Sequence, residues 1–219
     1  MARQINSEFD GWSVLAHLGK NCRYEARDVL YTSHIPALCF FRVVEGYIKI
    51  SRYFPDGRCQ ILSFCGPGDY FGFEEKGSQR NGEAEALGQS RIIAVDHAAL
   101  DRATDADGRI ATWRCSILSA EVRRSQNLIL ALGRMNADEK VDYFLTHVVR
   151  GGGGGREIHL PMNLTDIGDF LGLRIETISR TMSRMTRLGM LQRVKGTTDL
   201  YLSWRTPLLA DPAKAVTSN

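Results

Sequence analysis

At 219 residues the chain has room for one or two domains, and its 43% hydrophobic and 24% charged residues favour a folded protein. The N-terminal residues contain no apolar core of a secretory signal, and no apolar run approaches the length that spans a bilayer. We therefore expect a cytoplasmic protein without a membrane partner. The five cysteines include no Cys-x-x-Cys pair, which argues against a disulfide framework and a zinc site.

The formal net charge of +3 is concentrated in the last third of the chain. Residues 156–219 contain nine Lys/Arg and six Asp/Glu, whereas the preceding residues are balanced. Between Arg174 and Lys195, six basic residues stand against one acidic residue. This asymmetry is typical of a surface that meets phosphates, although a merely solvated basic face has the same composition.

The N-terminal third changes character near Asp28. Before it, the sequence is polar with scattered apolar anchors, and we predict a short helix there. From Asp28 to Val95, short β-rich runs alternate with turns that contain Gly and Pro, which predicts a small antiparallel barrel or roll. The predicted strands are Val29–Tyr31, Leu38–Val44, Tyr47–Tyr53, Cys59–Phe64 and Arg91–Val95.

From Ile110 to Met135 the apolar period becomes helical. One stripe repeats at alternating intervals of four and three residues for about three heptads, which is the pattern of a coiled coil. A second stripe contains Trp113, Ile117, Ala120 and Leu128. A helix with two apolar faces needs two partners, so we predict packing on its own domain and pairing with a second copy. The alternative is a helix buried in a monomer. The predicted dimer interface, called the seam below, consists of Cys115, Leu118, Val122, Ser125, Ile129 and Leu132.

A helix-turn-helix pattern occupies residues 164–190. Asn163 is a predicted helix cap, Asp166 completes a shortened capping box, and Gly172 ends the first helix. The second helix has a narrow apolar arc formed by Ile178, Met182, Met185 and Gly189. Its opposite face carries Glu176, Ser179, Arg180, Ser183 and Arg187. Such a face suits nucleic acid, and an ordinary helical hairpin with a solvated face is the competing interpretation.

The segments around this pattern also have predictable roles. Ala137–Val149 is a predicted helix, and the glycine run Gly151–Gly155 is a predicted flexible linker. A strand is expected to start at Ile158. Residues 191–195 and 199–203 are predicted to form a wing hairpin, with Lys195 near its tip, and the tail from Pro207 is expected to be disordered.

Three stretches of the chain resemble the CRP/FNR superfamily. The segment Leu164–Arg180 looks like its DNA-binding signature, and the spacing of Glu176, Ser179 and Arg180 is similar to the FNR and FixK branches. The Gly-rich segment 67–74 resembles its sensory domain, and residues 132–141 resemble the FixK pattern after the dimerisation helix. The resemblance implies an α+β protein. Its expected parts are an antiparallel, cyclic-nucleotide-binding-like β-roll (1–109), a long dimerisation helix (110–136), a winged helix-turn-helix domain (137–206) and a flexible tail (207–219).

The resemblance further implies a FixK-like transcription regulator, mainly an activator. It would bind double-stranded DNA as a homodimer, on a palindrome like TTGAT followed by ATCAA, and contact RNA polymerase. Its genes would serve low-oxygen respiration or nitrogen metabolism, including nitrogen fixation. Because Arg pairs with guanine and Glu accepts from cytosine, Arg180 and Glu176 are predicted base readers, with Ser179 on a thymine. The predicted phosphate contacts are Arg174, Thr177, Arg184, Arg187 and Lys195.

A second hypothesis is an effector-gated regulator whose roll binds a cyclic nucleotide, haem or another small molecule. In cyclic-nucleotide-binding relatives, an Arg and a hydroxyl residue hold the phosphate. Arg80 has the place of that Arg, but the acids Glu83 and Glu85 follow it and would repel a phosphate and occupy the guanidinium.

The sequence gives little support for other cofactors or for an enzymatic activity. The cysteines do not supply the four closely placed thiolates of an iron–sulfur cluster, and three histidines (17, 34 and 97) keep a haem site open. The chain has no nucleophile elbow, phosphate-binding loop or paired-acid motif. We therefore expect no cofactor, no metal and no enzymatic activity.

Overall fold

The computed structural model describes residues 9–149, 157–191 and 200–203. The described residues fall into two compact units. The first unit lies within Met1–Ile48 and Cys65–Gln126, and the second lies within Lys49–Phe64 and Asn127–Asn219. A hairpin from the β-rich N-terminal region therefore groups with the C-terminal third of the chain.

The strand-rich region, the long helix and the helix-turn-helix occur in the predicted order, together with elements that the sequence pattern did not predict. Among the described residues, the strands are Lys20–Tyr24 (β1), Val29–Tyr31 (β2), Cys39–Glu45 (β3), Ile48–Tyr53 (β4), Cys59–Cys65 (β5), Tyr70–Phe71 (β6), Glu83–Ala86 (β7), Ser90–Asp96 (β8), Glu157–Leu160 (β9) and Leu200–Ser203 (β10). The α-helices are Trp12–Leu15 (α1), His97–Ala106 (α2), Gly108–Arg134 (α3), Ala137–Tyr143 (α4), Leu164–Leu171 (α5) and Ile175–Arg187 (α6). A 3-10 turn at Ala16–Leu18 follows α1, and a π-helical turn at Phe144–Val148 follows α4.

The first unit contains a four-stranded antiparallel sheet in the order β1-β8-β3-β6, and β2 pairs separately with β7. The five strands predicted between Asp28 and Val95 are all present, each within one residue of its expected bounds, and two of them, β4 and β5, group mainly with the second unit. The sequence pattern did not predict β1, β6 or β7. In β1 no side chain is fully buried, so it lacks the apolar alternation by which a strand is recognised, and β6 has only two residues.

A single aromatic cluster ties the N-terminus, the sheet and α3 together in the first unit. Trp12 and Leu15 of α1 are buried beside Phe40, and Trp113 of α3 contacts the same cluster. The rings of Phe40 and Tyr70 are stacked, with their centroids 5.6 Å apart, and the centroids of the Trp113 and Tyr70 rings are 5.4 Å apart. The predicted packing of the second apolar stripe of α3 on its own domain is thus confirmed at Trp113 and at the partly buried Ile117.

Helix α2 was not predicted from the sequence. The Asp96 side chain caps it by accepting a bond from the Ala98 backbone N–H at 2.7 Å, and His97 and Leu100 are buried. The short interval of Asp107 separates α2 from α3, so α3 begins at Gly108 rather than at Ile110. The apolar period alone did not show where α3 begins, because buried apolar residues occur both in α2 and in the first turn of α3.

The second unit contains the predicted helix-turn-helix together with its flanking strands. Strand β10, the second strand of the expected wing, pairs antiparallel with β9. The predicted helix over 137–149 is α-helical only to Tyr143 and then continues as the π-helical turn. The first wing strand with Lys195, the Gly151–Gly155 linker and the tail from Pro207 lie outside the described residues.

Candidate nucleic-acid interface

The first helix of the pattern, α5, begins and ends as its residues predict. The Asn163 Oδ1 accepts from the Asp166 backbone N–H at 2.8 Å, and the Asp166 carboxylate accepts from the Asn163 N–H at 3.3 Å. This reciprocal pair is the predicted capping box. At the other end, Gly172 adopts a left-handed conformation with φ of 63°, which glycine allows without strain.

The turn between α5 and α6 is tight because of a second glycine. A Cβ atom placed on Gly168 would lie only 2.6 Å from the backbone carbonyl oxygen of Leu173. Any larger residue at this position would push the turn away from α5. The role of Gly168 is not visible in the sequence, because a glycine inside a helical pattern does not show which atoms a side chain there would contact.

Helix α6 separates a packing face from an exposed face. Ile178, Met182 and Met185 are buried as predicted, and Thr181 is buried as well. Gly189 follows the helix with a positive φ of 72°. The five residues predicted for the outer face are all exposed: Glu176, Ser179, Arg180, Ser183 and Arg187. The helix therefore presents an acid, hydroxyls and guanidinium groups on one continuous surface.

The first turn of α6 leaves its polar groups available. Arg174, one of the predicted phosphate contacts, is the N-cap residue, and its side chain makes no capping hydrogen bond. Arg180 donates from Nε to the Glu176 carbonyl oxygen at 3.3 Å, a bond along its own helix. The other guanidinium nitrogens of this exposed side chain can still form the paired bonds that a guanine edge accepts.

A carboxylate that sequence reasoning missed lies beside α6. Asp138, in the first turn of α4, accepts from the Thr181 hydroxyl at 3.3 Å, and it also forms an ion pair with Arg184. Arg184 is one of the predicted phosphate contacts. Its guanidinium thus has an intramolecular partner, and its distance from Asp138 in sequence explains why the pattern of α6 alone did not reveal it.

The seam of α3 is largely exposed in the single chain. Leu118 is 41% exposed, Val122 56% and Ile129 68%, and Cys115 and Ser125 are exposed too, while Leu132 is half-buried. Beside it, Arg124 bridges Asp69 at 3.2 Å and Glu121 at 3.2 Å. Burial raises the pKa of the Glu121 carboxyl, and Arg124 partly opposes that shift. An apolar stripe of this extent is a feature of helices that pair with another chain.

Arg80, which has the place of a phosphate-binding arginine, is occupied inside the first unit. Its side chain is buried, and Nη1 forms an ion pair with Glu74 at 2.7 Å. It also donates to the Cys39 carbonyl oxygen and lies over the ring of Tyr31, at 4.5 Å from the ring centroid. The predicted occupation of Arg80 by an acid is correct in kind, and the acid that forms the ion pair is Glu74, which precedes Arg80 in the sequence. This arrangement does not favour a cyclic nucleotide.

The remaining candidate groups are dispersed. Within the described residues, no group of three His, Cys, Asp or Glu side chains is placed to hold a metal ion. Of the cysteines, Cys65 is buried and Cys115 is exposed, and none of the five, all of which the structure describes, forms a disulfide. No helix in the described part of the chain combines the length and apolar composition that crossing a bilayer requires.

Two known domain families match separate parts of the chain. The cyclic nucleotide-binding domain family matches residues 21–107, and the Crp-like helix-turn-helix domain family matches residues 139–203. The second match contains α5 and α6 with the three predicted base readers.

Several known proteins are similar over most of the chain. The nitrogen fixation regulation protein FixK of Azorhizobium caulinodans is 34% identical over 183 residues, which cover 81% of this chain and 73% of that protein. The anaerobic regulatory protein of Pasteurella multocida is 34% identical over 171 residues, with 74% and 62% coverage. The structure of FixK2 from Bradyrhizobium japonicum superposes with a TM-score of 0.77 at 30% identity, covering 86% of this chain and 93% of that one.

The antiparallel sheets, the long helix α3 and the helix-turn-helix of α5 and α6 thus match the fold of the FixK2 structure. The chain belongs to the CRP/FNR family of DNA-binding transcription regulators, in its FixK-like branch.

Proposed function

We propose that this regulator binds, as a homodimer, an inverted repeat of the TTGAT type and activates transcription from it. The observation that carries the proposal is the joint exposure of Glu176, Ser179 and Arg180 in the first half of α6. In helix-turn-helix proteins, the N-terminal half of the second helix is the part that reaches base edges in the major groove. The three side chains therefore occupy positions from which bases can be read.

Each reader has a chemically defined target. Arg180 donates two parallel bonds to the O6 and N7 atoms of the guanine in TTGAT, and Glu176 accepts from the N4 amino group of the paired cytosine. Ser179 contacts a thymine. Ile175 is 43% exposed and apolar, so it offers no hydrogen bond to the outermost base pair.

The surrounding cations position α6 on the sugar-phosphate backbone. Such contacts carry affinity and salt dependence but no base preference. The proposed phosphate contacts are Arg174, Thr177, Arg184, Arg187 and Lys195. Arg174 supports this assignment because a cation at a helix N-terminus opposes the helix dipole and gains from a nearby phosphate.

Dimerisation through the seam supplies the second recognition helix. Two copies of α3 that bury the exposed Leu118, Val122 and Ile129 against each other form a two-fold pair. Such a pair places its two α6 helices about 34 Å apart, in successive major grooves of an inverted repeat. The proposed interface also includes Cys115, Ser125 and Leu132.

The names of the relatives suggest the physiological setting. FixK of Azorhizobium caulinodans is a nitrogen fixation regulator, and the Pasteurella multocida relative is an anaerobic regulator. By analogy, this protein controls genes for low-oxygen respiration or nitrogen fixation in the cytoplasm, in contact with RNA polymerase and without enzymatic activity of its own. In this proposal the chain consists of a β-roll (1–109), a dimerisation helix (110–136), a DNA-binding domain (137–206) and a tail (207–219).

The decisive experiment selects bound duplexes from a random pool with the full chain under reducing conditions. The expected result is an inverted repeat that keeps the guanine of TTGAT in both halves, bound by a particle with twice the mass of the chain in light scattering. A monomer that enriches no sequence would contradict the proposal.

A further inference from the structure

The β4–β5 hairpin contacts the first helix of the helix-turn-helix within the second unit. The ring centroid of Phe64 lies 5.3 Å from that of Phe170 in α5 and 5.9 Å from that of Phe144. At the other end of the contact, Lys49 Nζ lies 3.3 Å from Asp166 Oδ1, and these side chains are only 14% and 12% exposed. The hairpin is thus held to α5 by both apolar and ionic contacts.

The hairpin also contacts the C-terminal end of α5. The last four carbonyl groups of a helix have no partner within it and must be satisfied from elsewhere. Gly168 is satisfied by the chain itself, because its carbonyl accepts from the backbone N–H groups of Gly172 and, at 3.0 Å, of Leu173. The other three carbonyls depend on side chains from distant positions.

Gln60 of β5 serves two of these three carbonyl groups. Its Nε2 donates to the Asp169 carbonyl oxygen at 2.7 Å, and it shares its remaining capacity between the Phe170 carbonyl oxygen at 3.3 Å and that of the adjacent Ile61 in β5 at 2.9 Å. Lys140 Nζ donates to the last one, on Leu171, at 3.3 Å. The end of α5 is therefore fixed jointly by β5 and α4, immediately before the turn that leads into α6.

We propose that Gln60 is a positioning residue for base reading: its amide fixes the end of α5, and thereby the direction in which α6 leaves the turn. The proposal rests on the base-reading role of α6 given above. A primary amide suits the task because it carries two N–H donors, so it can bond to the end of α5 while one donor is shared with the Ile61 carbonyl of its own strand. The isosteric glutamate carries none when ionised, and its charge would face the negative end of the α5 dipole.

A shift of the turn affects the two kinds of DNA contact differently. Hydrogen bonds to a base edge need donor–acceptor distances of about 2.7–3.2 Å and near-linear geometry. Attraction between a cation and a phosphate declines slowly, over a screening length of about 8–10 Å. Loosening the turn should therefore reduce discrimination between sequences while leaving sequence-independent binding in place.

The test compares Gln60→Glu with the matched control Gln89→Glu, an exposed glutamine in the turn between β7 and β8. Dissociation constants are measured for the selected inverted repeat and for the same duplex with both guanines of the TTGAT halves changed. Discrimination is the dissociation constant for the changed duplex divided by that for the selected repeat. For Gln60→Glu this ratio should fall about tenfold, which is the effect of losing one base contact, while the dissociation constant for the changed duplex alters less than about threefold. Gln89→Glu should keep the wild-type ratio.

A second variant distinguishes donor chemistry from packing. Gln60→Lys restores an N–H donor and places a cation at the end of α5, so it should recover most of the discrimination. If Gln60→Glu does not fold, as judged by circular dichroism, Gln60→Met replaces it, since it keeps the length without donors, and the same loss is expected.

Three outcomes would overturn the proposal. The donor-free variant could keep the wild-type ratio, or weaken both duplexes equally, or Gln60→Lys could discriminate no better than Gln60→Glu. A wild-type protein that itself binds both duplexes alike would be a different result, because it would refute base reading by α6 before any variant is compared.

Discussion

Arg184 of α6 and Asp138 of α4 form an ion pair, and the same carboxylate accepts from the buried Thr181 hydroxyl at 3.3 Å. An acid therefore lies directly beside the helix that we assign to DNA. It holds α6 against α4, but its charge opposes the approach of phosphates and neutralises one of the cations that should attract them. Stability and affinity make conflicting demands at this position.

The conflict predicts the effect of Asp138→Asn. The amide oxygen still accepts from Thr181, but the negative charge is lost, so the variant should bind all duplexes about fivefold more tightly, equivalent to about 1 kcal/mol. It should lose about 1 kcal/mol of unfolding free energy, because a charge-assisted bond becomes a neutral one. Fluorescence anisotropy and urea unfolding measure the two effects. The exposed Asp105, replaced by Asn, is the control and should change neither; weaker DNA binding by Asp138→Asn would contradict the prediction.

Arg180→Ala should lose base discrimination and little else. The loss should be about 1–3 kcal/mol on duplexes that keep the guanine of TTGAT, and close to zero on duplexes that lack it. The exposed position of Arg180, bonded only to its own helix backbone in the described structure, means that its removal leaves no buried group unpaired. Competition titrations with both duplexes give the comparison. An equal loss on both would assign Arg180 to the phosphates instead.

Val122→Glu should dissociate the proposed dimer. The valine is 56% exposed in the single chain, and a carboxylate there would be buried opposite its own copy across the two-fold axis. Light scattering should show a monomer at micromolar concentration, with DNA binding lost in parallel. Asn127→Glu adds the same charge to an exposed position on the other side of α3 and should leave the dimer intact. A dimeric Val122→Glu protein would place the interface elsewhere.

Gly168→Ala should destabilise the protein through a single methyl group. The added carbon would lie 2.6 Å from the Leu173 carbonyl oxygen, and backbone must move to relieve the contact. We expect a cost of about 1–3 kcal/mol in urea unfolding. At Gly88, no heavy atom lies within 4 Å of the position that an added methyl carbon would occupy, so Gly88→Ala should be nearly neutral or slightly stabilising. Similar unfolding curves for the two variants would argue against a strained turn.

His97 should make stability fall in mild acid. Burial, aided by Arg80, lowers the pKa of its imidazole below the usual 6.5, so the unfolded chain takes up a proton there that the folded chain resists. The free energy of unfolding should then decrease as the pH falls through about 6.5. In His97→Gln that component is absent, so its profile should be flatter below about pH 6.5 and parallel to the wild type above about pH 7.5. Parallel profiles throughout would contradict the prediction.

Local residue patterns were sufficient to predict the helix-turn-helix and the exposure of its readers. The Asn163 cap, the Gly172 terminus and the apolar arc of α6 all depend on intervals of three or four residues. Such intervals are visible in one sequence because helix geometry determines them. The seam of α3 was visible for the same reason, whereas the polar strand β1 and the two-residue strand β6 carry no comparable period.

Contacts between distant residues could not be predicted. Gln60 is separated by more than a hundred residues from the carbonyl groups it serves, and Asp138 by more than forty from Arg184. Nothing in the local spacing of either pair indicates its partner, because tertiary packing brings them together. The acid that pairs with Arg80 was not predicted either, although Glu74 and Glu83 are both near it in sequence. Tertiary packing decides which of these carboxylates contacts the buried guanidinium, and it is Glu74.

The docking of β4 and β5 on α5 also bears on how this regulator can be dissected. A C-terminal fragment cut at the end of the long helix would retain every proposed base reader, yet it would lose the Phe64 ring that covers Phe170 and leave the Asp169 and Phe170 carbonyls to water. Such a fragment is an incomplete folding unit. Transplanting this DNA specificity onto another scaffold therefore requires the hairpin to be carried along with it.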